Sequence, residues 1–161
     1  MCNPHQNSMQ INRGNIVKKF LELFPQFTRE PSFGNEDYSE IPYVFFGSVN
    51  TTLSTYVEQK ENLALATAVI HWMDEIYNTP ETDDYIRDMC AIEFFECADG
   101  SKEYAQFLLD LLTGRANIDF RRHNYIVENG GLLDPNTGEI MKYAGMNTPS
   151  QKTGKFITDI K

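Results

Sequence analysis

The 161-residue chain is sparing with several features that would place it in a special class. It has 3 cysteines (Cys2, Cys90 and Cys97), an odd number with no Cys-x-x-Cys spacing. That excludes a disulfide framework and points to a reducing, cytoplasmic setting. No apolar run approaches the length of about 18 residues that a membrane span needs. No charged segment followed by an apolar one opens the chain, so secretion is not expected. Basic residues are few: 14 Lys and Arg against 23 Asp and Glu leave a net charge of −9. A protein that binds nucleic acid by neutralising phosphates is excluded on that ground. The patterns GxGxxG, GxxxxGK[ST], HExxH, GxSxG and DxDxDG are absent, so no reaction is announced by a motif. Gly130-Gly131 reads as a helix stop, because no strand–turn–helix pattern follows it.

What is there describes one globular domain. Hydrophobic residues make up 41% and aromatics 12%, too rich for a disordered chain. The length matches the usual prior of roughly 100–200 residues per domain, and such a chain buries enough surface to fold without staples.

The acidic charge is concentrated. Residues 58–113 hold three basic groups (Lys60, Arg87 and Lys102) and 13 acidic ones, while the flanking thirds are close to neutral. A strongly acidic middle cannot itself be an anion or phosphate site. It serves either as a soluble, self-repelling surface or as a face for a basic protein partner, whose association complementary fields would speed.

Apolar spacing predicts helices. Ile16, Val17, Phe20, Leu21 and Phe24 follow the helical rule within residues 11–24, and Pro25 stops them. Residues 25–42, with three prolines and Gly34, read as a loop. The run Tyr43–Val49 fits a short strand or a helix; Leu53, Tyr56 and Val57 continue a helical stripe, so a helix is expected. Residues 60–77 place Leu63, Ala66, Val69, Ile70, Met73, Ile76 and Tyr77 on one stripe. Residues 82–98 follow, with Thr82 as the expected N-cap and Asp83 and Asp84 in the first turn, where the helix dipole favours acids. Ser101 is the expected cap of the next helix, which turns Tyr104, Phe107, Leu108, Leu111 and Leu112 inward and ends with Gly114 at C′. A sixth helix is expected over about 117–128. The short connections make the central helices antiparallel neighbours.

The expected fold is therefore mostly α, an antiparallel bundle of about six helices in a domain over residues 1–130. Residues 131–161 form a separate, hairpin-like extension and flexible tail. Leu132-Leu133 and Ile140-Met141 flank a turn-rich centre, and a lone hairpin needs the helices for support. The first ten residues are expected to fray.

Chemistry candidates are sparse. His71 and Glu75 lie at i, i+4 on one helix, and Glu93 and Glu96 at i, i+3 on the next, which would suit a carboxylate-bridged metal between two helices. Such bundles repeat Glu-x-x-His, which this chain lacks, so no metal and no cofactor is expected. Cys90 and Cys97 share a helical face and read as small core hydrophobes; their acidic helix disfavours a reactive thiolate. Trp72 reads as an aromatic at the core edge. Arg121-Arg122-His123 is a basic cluster that could take an anion, but pairing with the acidic middle helices is the simpler reading.

The segments Phe20-Leu21-Glu22-Leu23-Phe24-Pro25 and Asp84-Tyr85-Ile86-Arg87-Asp88-Met89-Cys90-Ala91-Ile92-Glu93-Phe94-Phe95-Glu96, within a short acidic domain, resemble small bacterial immunity proteins over about residues 11–128. Those proteins are the cytoplasmic antidotes to polymorphic or contact-dependent toxins. The resemblance implies stoichiometric inhibition of a toxin, often a basic nuclease, and no catalysis. The expected function is binding and neutralising such a basic protein partner, with Glu58, Glu61, Asp74, Glu75, Asp84 and Asp88 carrying recognition. A helical adaptor or oligomerising scaffold is the alternative, and a metal-dependent enzyme built on His71, Glu75, Glu93 and Glu96 a third.

Overall fold

Helical spacing governs the chain as it folds. The computed structural model describes residues 10–29, 41–96, 98, 101–129, 132–133 and 140–141, and among them it forms a bundle of six helices. These are α1 (Ile16–Leu23), α2 (Pro42–Gln59), α3 (Leu63–Asn78), α4 (Asp84–Cys90), α5 (Lys102–Leu111) and α6 (Gly114–Asn129). A 3₁₀ turn, Pro25–Arg29, follows α1, and a wide π-helical turn, Ala91–Phe95, continues α4. Tyr43–Val49 is helical, as expected, and Pro42 opens α2 rather than closing the loop before it. Proline suits that first-turn position, where its missing N–H has no intrahelical partner anyway. Beyond the helices, Leu132–Leu133 pairs antiparallel with Ile140–Met141. The expected frayed residues 1–9 and the tail 142–161 lie outside the described residues.

Helix α3 is central, packing against α2, α4, α5 and α6. Of its expected stripe, Ala66, Val69, Ile70, Met73, Ile76 and Tyr77 are buried, while Leu63 in the first turn is 40% exposed. At one end of the core, the Phe20 ring lies 5.0–5.5 Å from the rings of Phe24, Phe27, Phe45, Phe46 and Trp72. Each phenylalanine so buried contributes about 1.5–3 kcal/mol by area removed from water, and the tilted and edge-on geometries add to that. Trp72 is half-buried at the edge of this cluster.

The π turn packs against both α2 and α6. Phe94 and Phe95 are adjacent in sequence, yet each is only 1% exposed. Phe94 reaches Phe46 of α2 (ring centroids 6.2 Å) while Phe95 reaches Tyr77 of α3 (5.2 Å) and Phe120 of α6 (5.6 Å). Adjacent pairs in ordinary helix, Phe45–Phe46 and Val69–Ile70, are buried in the same way.

Two expectations about helix ends change. The N-cap of α4 is Asp83, whose Oδ1 accepts from Ile86 N at 2.9 Å, while the Thr82 hydroxyl turns back to donate to Ile76 O at 2.7 Å. Asp83 wins because its carboxylate also meets the positive end of the helix. The cap at Ser101 is as expected, accepting from Tyr104 N. Gly114 does not close α5, which ends at Leu111; it opens α6 with φ +49°. A Cβ there would sit 2.8 Å from Asn78 Oδ1, so backbone shape and space both require glycine.

The α5–α6 corner is held from α3. Asp74 accepts from Thr113 N at 2.9 Å and from the Thr113 hydroxyl at 2.7 Å. Asn78 donates to Thr113 O and to Asp74, and accepts from Ala116 N. Asp74 is accordingly only 7% exposed. It is a structural acid, and the expectation that it faces a partner is corrected: hydrogen-bond donors 39 residues away draw it inward.

Candidate functional site

The structure does not join the six acids into one surface. Glu58 stands on the last turn of α2, where Ser54 donates to it, and Glu61 in the turn before α3; both are exposed. Asp84 and Asp88 stand on α4 beside the other end of α2, since α4 follows the far end of α3. The 18 residues of α2 span about 27 Å at 1.5 Å per residue, so the two acidic pairs occupy opposite ends of the bundle. Glu75 is exposed and lines a separate depression with Lys19 and Trp72.

Asp88, one turn beyond exposed Asp84, meets side chains that the charge pattern does not reveal. Tyr43 of α2 and Tyr85 of α4 contact edge to face, with ring centroids 5.3 Å apart. Burial, and then the nearby Tyr85, Asp88 and Glu93, push the Tyr43 hydroxyl above its ordinary pKa. Asp88 and Glu93 are thus close enough to bear on it. Arg13 places its guanidinium 5.2 Å over the Tyr85 ring, a cation–π contact. Ile92, one turn beyond Asp88, is 40% exposed, and Val44, next to Tyr43, is 51% exposed. The result is an aromatic and aliphatic centre with carboxylates around it.

Glu93 sets the inner edge of this face. Its carboxylate lies over Gly47 of α2, 2.6 Å from where a Cβ would stand. Glycine in mid-helix costs roughly 0.5–1 kcal/mol relative to alanine, and here it makes room for that acid. Burial, and then the charge of Glu96, hold the Glu93 carboxyl above its ordinary pKa. Arg87 does not neutralise the face. It donates to the Thr79, Pro80 and Tyr77 carbonyls at 2.6, 3.0 and 3.4 Å and makes only a long ion pair with exposed Asp84, 3.7 Å.

The other candidates fall out differently. His71, Glu75, Glu93 and Glu96 do not converge: no group of three or more His, Cys, Asp or Glu among the described residues is placed to hold a metal ion. Cys90 is fully inside the core, where burial pushes its thiol up to about 12; Cys97 lies outside the described residues. Arg121 and Arg122 make no ion pair with the acidic middle helices among the described residues. Arg121 is exposed, whereas Arg122 and His123 are half-buried and line a cavity. No helix among the described residues is long and apolar enough to cross a membrane.

The model of a domain of unknown function, DUF7674, matches residues 17–118. The chain belongs to the DUF7674 family. No curated protein and no solved structure matches it. The DUF7674 stretch begins at Val17 in α1 and ends at Ile118 in α6. It therefore takes in the π turn and the Tyr43–Tyr85 face, and it stops before Arg122.

Sequence reasoning missed Tyr43, Tyr85 and Glu93 as parts of a surface. The available signal was Gly47, a glycine inside an otherwise good helix and one turn from Tyr43, which marks a close approach by another element.

Proposed function

We propose that this chain is a non-catalytic binding protein that docks a basic partner protein on the face formed by Tyr43, Tyr85, Asp84, Asp88 and Glu93. The resemblance to immunity proteins supplies the finer reading, in which the partner is a basic toxin that is neutralised stoichiometrically. The observation that carries the proposal is the stack of Arg13 on Tyr85 beside unneutralised carboxylates: the face already holds one guanidinium and has charge to spare for more. Tyrosines at the centre with a charged rim match the anatomy of binding hot spots. Carboxylates around them favour Lys- and Arg-rich surfaces and speed their approach.

The test is capture of partners from source-cell lysate at low salt, with elution by a salt gradient and identification by mass spectrometry. One basic protein, released in near-equal amount as salt rises and lost with the double variant Asp84→Lys/Asp88→Lys, supports the proposal. Equal capture by that variant contradicts it. Glu58→Lys/Glu61→Lys, at the opposite end of the bundle, is the control and is expected to retain the partner.

A further inference from the structure

A cavity of about 360 Å³ lies on the other flank of the π turn, between the end of α3 and the first half of α6. Arg115, Asp119 and Arg122 fall at i, i+4 and i+7 of α6 and so share one helical face, and all three line it, with His123 alongside. From the π turn and the residue after it, Ala91, Phe95 and the exposed Glu96 also line it.

The polar groups are not equivalent. Asp119 is already engaged, its Oδ2 accepting from the Tyr77 hydroxyl at 2.8 Å and from Arg115 Nε at 3.3 Å. Burial, and then that bond to Asp119, raise the pKa of Tyr77, so its hydroxyl remains a proton donor. Arg122 is different. It is half-buried, lines the cavity, and forms no ion pair with any described carboxylate. A half-buried guanidinium with no described acid as partner, in a chain with a surplus of nine acids, keeps its donors open to the cavity.

We propose that this cavity is a binding site for a small molecule bearing an oxyanion, a carboxylate or a phosphate group, which Arg122 grips while Ala91 and Phe95 take the molecule's apolar body. The planar guanidinium fork matches an oxyanion two bonds at a time. The volume is at the small end of metabolite pockets, enough for one ring and one charged group. The acidic face lies on the opposite flank of the turn, so the two sites share no lining residue.

The test titrates inorganic phosphate, phenyl phosphate and benzoate into the full chain, followed by amide NMR. The expected result is saturable binding of at least one, with shifts centred on Phe95, Asp119 and Arg122. Arg122→Gln is expected to weaken it by at least about tenfold. Arg122→Lys keeps the charge without the fork and is expected to weaken it less. Arg121→Gln, altering the exposed neighbour, is expected to leave it unchanged. Tighter binding of phenyl phosphate than of benzoate assigns a phosphate ligand, and the reverse order a carboxylate. The inference is overturned if none of the three saturates, if Arg121→Gln weakens binding as much as Arg122→Gln, or if Arg122→Gln at unchanged melting temperature binds as well as the wild type.

Discussion

The two flanks of the Ala91–Phe95 turn carry opposite chemistry on a shared support. Toward α2, Phe94 packs on Phe46, Glu93 lies over Gly47, and the surface is acidic and aromatic. Toward α6, Phe95 packs on Tyr77 and Phe120 beneath a cavity lined by two arginines. Neighbouring side chains on any helical turn point in different directions, and here that divergence sends Phe94 and Phe95 to different partners and gives each flank its own surroundings. Net charge alone, −9 for the chain, describes neither.

The largest expected effects break the support itself. Phe94→Ala and Phe95→Ala are each expected to cost about 3–5 kcal/mol in urea unfolding, by lost burial and a residual cavity. Hydrogen exchange separates them: the first should speed exchange in α2 more than in α6, and the second the reverse. Equal loosening of both helices by either variant would break the division into two flanks.

A smaller effect sharpens the cationic side. Tyr77→Phe removes the hydroxyl that donates to Asp119 and is expected to cost about 1 kcal/mol, leaving capture of the basic partner unchanged. Calorimetry of the variant, with the pull-down repeated, checks both parts.

The smallest effects lie at Glu93. An acid whose pKa is raised by folding destabilises the folded form at pH above that raised value, and the penalty fades as pH falls through it toward the ordinary glutamate range. Glu93→Gln is therefore expected to raise the melting temperature near pH 7 and to raise it less near pH 4. Gly47→Ala tests the same contact from α2. The added methyl must push the carboxylate toward solvent, while alanine gains about 0.5–1 kcal/mol of helix preference. The net change should stay under about 1 kcal/mol, and the Glu93 carboxyl, followed by NMR, should titrate closer to the ordinary range.

Much of this fold is legible in the sequence, because long amphipathic stripes such as Ala66–Tyr77 carry their own periodicity and Ser101 is a local cap. What is not legible depends on groups distant in sequence. Asp74 has the same chemistry as Asp88 and lies in the same acidic third, yet donors on Thr113 turn it inward. Thr82 and Asp83 are both good caps by residue type, and the Ile76 carbonyl, which takes the threonine, decides between them. The adjacent Phe94 and Phe95 read alike as apolar, but only the presence of α2 on one side and α6 on the other shows which partner each meets. The acidic surplus is visible in composition; its division between two ends of the bundle follows from the length and reversal of α2 and α3.

The central claim is that recognition of a basic partner belongs to the α4 end of the acidic surface and not to acidity in general. Its most direct test is the salt dependence of affinity for the captured partner, measured for the wild type, Asp88→Lys and Glu58→Lys. The account predicts that Asp88→Lys weakens binding and flattens its dependence on salt, while Glu58→Lys changes neither by more than a small long-range contribution. Equal weakening and equal flattening by the two reversals would contradict it, and would return the acidic residues to a diffuse field with no particular face.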